Sequence, residues 1–290
     1  MAERVEIYEV GPRDGLQNEA LFVPTQRKIE LIDLLSACGF RRIEVASFVN
    51  PKRVPQMADG REVMGGIQRH SGVVYAALTP NEKGYDAARV ARADEVAIFA
   101  SASEGFSQAN INCSISESLE RFKPVCEKAR KDLIPVRGYV SCVTDCPYDG
   151  PTPPRQTARV AEALAKMGCH EISLGDTIGH GTPETVGAML EAVLAVLPPN
   201  HLAGHFHDTR GRALENIDAC LERGLRVFDA SAAGLGGCPF APGSKGNVAT
   251  GKVVDHLEMR GFTTGIDRDK LAEAERFAAG LHFHTEAGAA

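Results

Sequence analysis

Short runs rich in β-branched and aromatic residues recur along the chain, at residues 5–10, 42–48, 73–78, 95–100, 135–143, 171–175, 202–207 and 227–231. Segments of helical period lie between them. Thr182-Pro183-Glu184 reads as an N-cap with Pro at the first helical position, and Val186, Met189, Leu190, Val193 and Leu197 then form one apolar stripe, stopped by Pro198-Pro199. Ser114-x-x-Glu117 has capping-box spacing ahead of Leu119, Phe122 and Val125, and Ala213, Ile217, Cys220 and Leu221 make another stripe.

Strands that alternate with helices imply a parallel sheet, because the helical crossover is what permits parallel pairing. Eight such units in 290 residues predict an α/β protein built as a single (β/α)8 barrel of the TIM type, for which about 250 residues is usual. The competing doubly wound sheet favours G-x-G-x-x-G after its first strand, and "GPRDGLQNE" is a different pattern. No linker, low-complexity tract or charge block divides the chain, so residues 1–290 are expected to form one catalytic domain. Residues 267–281 predict an extra C-terminal helix packed outside the barrel.

Composition narrows the function classes. The chain is 43% hydrophobic and 24% charged with a net charge of −6, which disfavours a nucleic-acid surface. No run of about 18 apolar residues is present, so no membrane span is expected. The charged N-terminus lacks the apolar stretch of a secretory signal. Eight Cys are scattered without a paired zinc spacing (Cys142-x3-Cys146 has no second half), so reduced thiols and a cytoplasmic location are expected.

In a barrel of this kind the chemistry sits at the C-terminal ends of the strands. Arg13 and Asp14 follow the first run, Glu44 lies in the second, Asp176 follows the sixth, and His205 and His207 end the seventh. Residues two apart on a strand share a face, so both imidazoles can reach one point. With Asp14 on the same rim they suggest a metal site, and a pair of hydrogen-bonded histidines is the plainer alternative. After the eighth run comes "GLGGCPFAPGSKGN", with Cys238 and Asn247, a Gly-rich stretch at about 234–247 that is expected to be a mobile lid.

The stretches "GPRDGLQNE", "IEVASFVNPKRVPQMAD", "RGYVSCV", "EISLGDTIG", "HFHDT" and "AGLGGCPFAPGSKGN" resemble the successive signatures of the 3-hydroxy-3-methylglutaryl-CoA lyase family, over residues 5 to 281. That resemblance implies a TIM barrel that cleaves an acyl-CoA substrate to acetyl-CoA and acetoacetate, a step of leucine and ketone-body catabolism. It implies a divalent cation, Mg2+ or Mn2+, with Asp14, His205, His207 and Asn247 as ligands. It implies Arg13 as catalytic arginine, Glu44 and Asp176 as active-site acids, and Cys238 as the loop cysteine. Two imidazoles with Asp and Asn oxygens make Mn2+ the cation on which ligand chemistry and resemblance agree. Two positions depart from lyases of animal type: Gly251 stands where a Glu is expected, and Ala20 where a Lys is common.

Asp176 is the expected base for the alcohol proton and Cys238 the expected proton donor to the enolate carbon. The alternatives are a sister lyase acting on a longer 3-hydroxy-3-carboxymethyl acyl-CoA, a condensing enzyme using acetyl-CoA and a 2-oxo acid, and a non-catalytic metal-binding barrel. CoA-contacting residues are not legible. Lys52 and Arg53 enter only because a diphosphate needs cations, and solvated surface charge is the plainer reading. A homodimer is compatible with the sequence and nothing in it encodes one.

Overall fold

Eight strands close on themselves in the computed structural model, which describes residues 2–236 and 246–281. They are β1 (Glu6–Glu9), β2 (Arg42–Ser47), β3 (Val74–Leu78), β4 (Glu95–Ser101), β5 (Val136–Ser141), β6 (Glu171–Asp176), β7 (Leu202–Phe206) and β8 (Val227–Ala230). Each pairs in parallel with its sequence neighbours, and β1 closes the ring by pairing with both β8 and β2. The predicted (β/α)8 barrel is therefore present, each strand within a residue or two of its predicted run.

The helices pack around the ring: α1 (Thr25–Ser36), α2 (Gly60–Gly66), α3 (Glu82–Val90), α4 (Glu104–Ile111), α5 (Ile115–Lys131), α6 (Pro154–Lys166), α7 (Pro183–Leu194), α8 (Ala213–Glu222), α9 (Thr250–Met259) and α10 (Arg268–Gly280). Thr182 caps α7 in a capping box, with Val186, Met189, Leu190 and Val193 buried as the stripe required. The helix ends at Leu194, so Leu197 packs on the core from beyond its end. Ser114 and Glu117 form the predicted box on α5. Apolar residues of the strands' outer faces and the helices' inner faces make one continuous core, with Phe206 among them.

The extra helix is α10. Asp267 caps it by accepting hydrogen bonds from the Asp269 and Lys270 amides, and its buried Leu271, Ala274 and Ala278 face the core beside α1. Two elements at the mouth were not foreseen: α4, and a two-residue ribbon that pairs Asp145–Cys146 with Gly150–Pro151. Among the described residues, seven cysteines are buried and free. No helix there is long and apolar enough to cross a membrane.

The barrel interior is not a plain hydrocarbon core. Arg42 donates through Nε to Glu6 at 2.6 Å and through both terminal nitrogens to Glu171 at 3.0 Å. Arg137 donates to Glu171 at 2.6 Å and, through its terminal nitrogens, to Asp229 at 2.6 and 3.0 Å. Its guanidinium lies over the Tyr8 ring, 4.1 Å from the centroid. This ladder of paired charges leads up the barrel to the mouth.

Candidate active site

The chain leaves β1 in a wide helical turn, Gly11–Gly15, in which the amides of Arg13, Asp14 and Gly15 all donate to the Val10 carbonyl. Gly11 and Gly15 are required by space. A Cβ on Gly11 would lie 2.7 Å from Glu9 Oε1, and one on Gly15 would lie 2.8 Å from Leu235 Cβ. The turn carries Arg13 and Asp14 over the barrel rim side by side.

Arg13 donates through Nε to Glu44 Oε2 at 2.6 Å and through Nη1 to Asp14 Oδ1 at 2.5 Å, and its Nη2 lies 2.5 Å from Glu44 Oε2. Tyr139 Oη donates to the same Glu44 oxygen at 3.0 Å, beneath the Arg13 guanidinium. Burial works against the Arg13 charge, but Glu44 and Asp14 outweigh it and hold the group protonated. Burial raises the Glu44 carboxyl above the usual carboxylate range, with Arg13 opposing. Glu44 Oε1 is buried and has no hydrogen-bond partner among the described residues.

On the far side of Asp14 stand the two histidines. Ligand atoms of Asp14, His205 and His207 all lie within 4.8 Å of one another. His205 Nε2 is 3.9 Å from Asp14 Oδ2, while its Nδ1 faces Asp229 Oδ2 at 3.0 Å. Residues 246–248 run along the end of β7, with the Asp208 amide donating to Gly246 and the Val248 amide to Phe206. This places Asn247 against His207, and its Nδ2 donates to Asp14 Oδ2 at 2.8 Å. Burial opposes ionisation of Asp14, but Arg13 and the histidines overcome it and hold the carboxyl at about 2. Burial, and then His205, lower His207 to about 4, so its imidazole is neutral at pH 7. A buried nitrogen of His207, Nδ1, has no hydrogen-bond partner among the described residues.

These groups open into a cavity of about 660 Å³. Its apolar wall includes Leu78, Phe99 and Phe106, and Arg53 and Arg121 bring positive charge to its lining.

Residues 4–278 match the family described as HMGL-like. The chain belongs to that family. It is 56% identical over 274 residues to the 3-hydroxy-3-isohexenylglutaryl-CoA/hydroxy-methylglutaryl-CoA lyase of Pseudomonas aeruginosa, covering 94% of this chain and 91% of that one. The structure superposes on the HMG-CoA lyase of Brucella melitensis with a TM-score of 0.96 and 63% identity, covering 97% and 99% of the two chains. It superposes on an HMG-CoA lyase of Acinetobacter baumannii, solved with coenzyme A and 3-methylmalate, with a TM-score of 0.91 and 41% identity over 96% and 91%.

Within this HMGL-like barrel, six of the eight residues singled out in the sequence converge: Arg13, Asp14, Glu44, His205, His207 and Asn247. Asp176 does not join them. The two-residue alternation of β6 turns Ser173 and Gly175 inward, and Gly175 lines the cavity. Asp176 instead accepts hydrogen bonds from Thr144 Oγ1 at 3.1 Å and from the His180 and Gly181 amides at 3.2 and 2.8 Å. Burial raises its carboxyl against those bonds. Cys238 and most of the Gly-rich stretch, 237–245, lie outside the described residues.

Gly251 lies against the carboxylate of Glu275. A Cβ there would lie 2.6 Å from an oxygen of Glu275, whose carboxylate accepts from the Gly251 and Ala233 amides at 2.9 and 3.1 Å. Nothing in the structure explains Ala20. Sequence reasoning missed Tyr139, Asp229 and Arg121. The first two carried a signal, since a polar group inside a parallel strand has nowhere dry to hide. Arg121 lies on α5 and carried none. Of the pair proposed for a diphosphate, Arg53 lines the cavity, whereas Lys52 is exposed and outside the lining.

Proposed function

We propose that the chain is a divalent-metal-dependent carbon–carbon lyase that splits 3-hydroxy-3-methylglutaryl-CoA into acetyl-CoA and acetoacetate. The C3 hydroxyl loses its proton, the C3–O bond becomes a carbonyl, the C2–C3 electron pair passes to the thioester as an enolate, and C2 takes up a proton. The observation that carries this reading is the meeting of Asp14, His205 and His207 next to a buried Arg13, in a chain whose family relatives carry this activity by name.

The donor set fits a divalent cation. A carboxylate already ionised, a neutral imidazole with an unpartnered buried nitrogen, a second imidazole and an amide stand together. Asp14, His205, His207 and Asn247 would hold it, with Mn2+ or Mg2+ favoured; when bound it supplies Lewis acidity that lowers the pKa of the substrate hydroxyl. Arg13 spends three of its five N–H groups on Glu44 and Asp14 and keeps two for the thioester oxygen as enolate charge develops there. Glu44 and Tyr139 fix the plane of that guanidinium.

Asp176 is best read as a positioning residue that shapes the loop after β6, because its carboxylate is occupied by that loop's own donors. For Cys238 the proposed role, from the sequence, is proton donor to the enolate carbon, and full turnover in Cys238→Ser would end it. Arg53 and Arg121 suit the phosphates of a CoA substrate. The buried free thiols suit a reducing compartment.

One assay tests the whole reading: purified protein with Mn2+ or Mg2+ and HMG-CoA, scored for acetoacetate, with and without chelator. No acetoacetate in the presence of metal would overturn it. The apolar wall and the doubly named Pseudomonas relative favour one second reading, a longer alkyl group at C3. Parallel turnover of the isohexenyl substrate decides between them.

A further inference from the structure

His205 is held from behind. Its Nδ1 faces Asp229 Oδ2 at 3.0 Å, and that same oxygen accepts from Ser173 Oγ at 2.9 Å and Arg137 Nη1 at 3.0 Å. Asp229 Oδ1 accepts from Arg137 Nη2 at 2.6 Å. The carboxylate is buried, and β7 and β8 set His205 and Asp229 directly opposite one another in register. A carboxylate that takes two bonds from a guanidinium is an acceptor only, so the proton on this edge of the ring belongs to Nδ1. The other nitrogen, Nε2, is thereby the one left to face Asp14, 3.9 Å away.

We propose that Asp229 is a positioning residue of the metal centre: anchored by Arg137 and Ser173, it fixes the His205 tautomer and ring plane so that Nε2 is presented to the cation. This rests on the metal reading above and extends it inward. The top rung of that ladder, Arg137–Asp229, then has a purpose beyond filling the barrel. It makes the hydrogen-bonded support of one ligand part of the barrel's own scaffold, rather than of a loop. Outer partners of this kind typically contribute about 10- to 100-fold in metal affinity.

The test measures Mn2+ binding to the full chain by titration calorimetry or by the free-Mn2+ EPR signal, without substrate. Four variants are compared with the parent: Asp229→Asn, Ser173→Ala, Glu171→Gln and His207→Ala. Asp229→Asn is expected to weaken Mn2+ binding about 10- to 100-fold. Glu171→Gln, which neutralises the other carboxylate on Arg137 without touching His205, is expected to leave the Mn2+ affinity within about threefold whatever it does to the melting temperature. Should Asp229→Asn not fold, Ser173→Ala carries the test with an expected loss of a few-fold.

Unchanged affinity in Asp229→Asn, or in Ser173→Ala where that variant stands in, overturns the proposal, as does an equal loss in Glu171→Gln. If His207→Ala loses Mn2+ while Asp229→Asn keeps it, the metal centre stands and only the role of Asp229 falls. If His207→Ala binds Mn2+ as the parent does, the metal reading itself fails and this inference with it.

Discussion

The lower and upper halves of the barrel interior are both lined with buried charge, and they treat it in opposite ways. Below, every guanidinium nitrogen of Arg42 and Arg137 is matched to Glu6, Glu171 or Asp229. Above, at the mouth, Arg13 keeps N–H groups to spare, and Glu44 Oε1 and His207 Nδ1 are buried without a partner among the described residues. An unsatisfied buried polar atom costs roughly 1–3 kcal/mol, a cost that a ligand bound at the mouth would offset. Saturated charge holds the shape, and unsaturated charge waits for a ligand.

Removing charge from the saturated half should act on stability. Glu171→Ala leaves Arg42 and Arg137 short of three hydrogen bonds inside the barrel, and the expected loss is roughly 3–5 kcal/mol. Urea unfolding measures it, and a loss under about 1 kcal/mol would erase the distinction between the halves. In the unsaturated half the same operation should act on rate. Arg13→Met is expected to lower kcat about 100- to 1000-fold in the protein that remains folded, over and above the stability lost where buried Glu44 loses its partner. A large fall in stability with kcat retained would reassign Arg13 to the scaffold.

Glu9 is a third case, a carboxylate saturated without any cation. It points out of the barrel and accepts from the Gly11 and Ala232 amides and from Thr250 Oγ1 at 2.8, 2.9 and 2.6 Å. Burial raises its carboxyl from 4.5 to about 7 despite those bonds. A raised carboxyl means that the folded chain binds the proton more tightly than the unfolded one. Its contribution is therefore complete below about pH 4.5 and lost as pH rises through about 7, a difference of roughly 3 kcal/mol. Glu9→Gln should flatten that part of the stability–pH curve, as read from denaturation between pH 4.5 and 8. An unchanged slope would show that Glu9 is ionised throughout.

The two halves also differ in how far the sequence exposed them. The strand and helix order was legible, because period and caps such as Thr182 and Ser114 are local. The histidines were legible as a pair, since a spacing of two on a strand has one geometric meaning. Asp176 was misplaced toward the mouth because proximity to a strand end does not say which face a side chain takes. Only the register of β6, with Gly175 inward, decides that. Arg137 and Asp229 were passed over because their partners lie 92 residues apart, and ring closure, not sequence, brings them together. Phe106 and Arg121 sit on α4 and α5, where an added helix interrupts the repeat.

Asp176→Asn sharpens that correction. An amide there can accept only on one side, so the His180 and Gly181 amides and Thr144 cannot all be served, and the loop after β6 shifts. The expected outcome is a fall in kcat of roughly tenfold, about 1.4 kcal/mol, with the shape of the pH–rate profile kept. Loss of the acidic limb of that profile would instead make Asp176 the base.

The smallest effect is expected at the rim, where Lys52 and Arg53 are sequence neighbours with different surroundings. Arg53 lines the cavity and Lys52 does not. Both charges are solvated, so a contact with substrate phosphate resembles an exposed ion pair, worth at most about 1 kcal/mol, or roughly fivefold. Arg53→Ala should raise KM for the acyl-CoA by about that factor and leave kcat alone, the signature of binding shared by ground and transition states. Lys52→Ala should change neither. If both raise KM equally, and both effects vanish in about 0.5 M salt, the rim attracts substrate through its summed field alone. If only Arg53 matters and its effect survives salt, the cavity lining has assigned a seated phosphate contact that charge counting along the sequence could not separate from its neighbour.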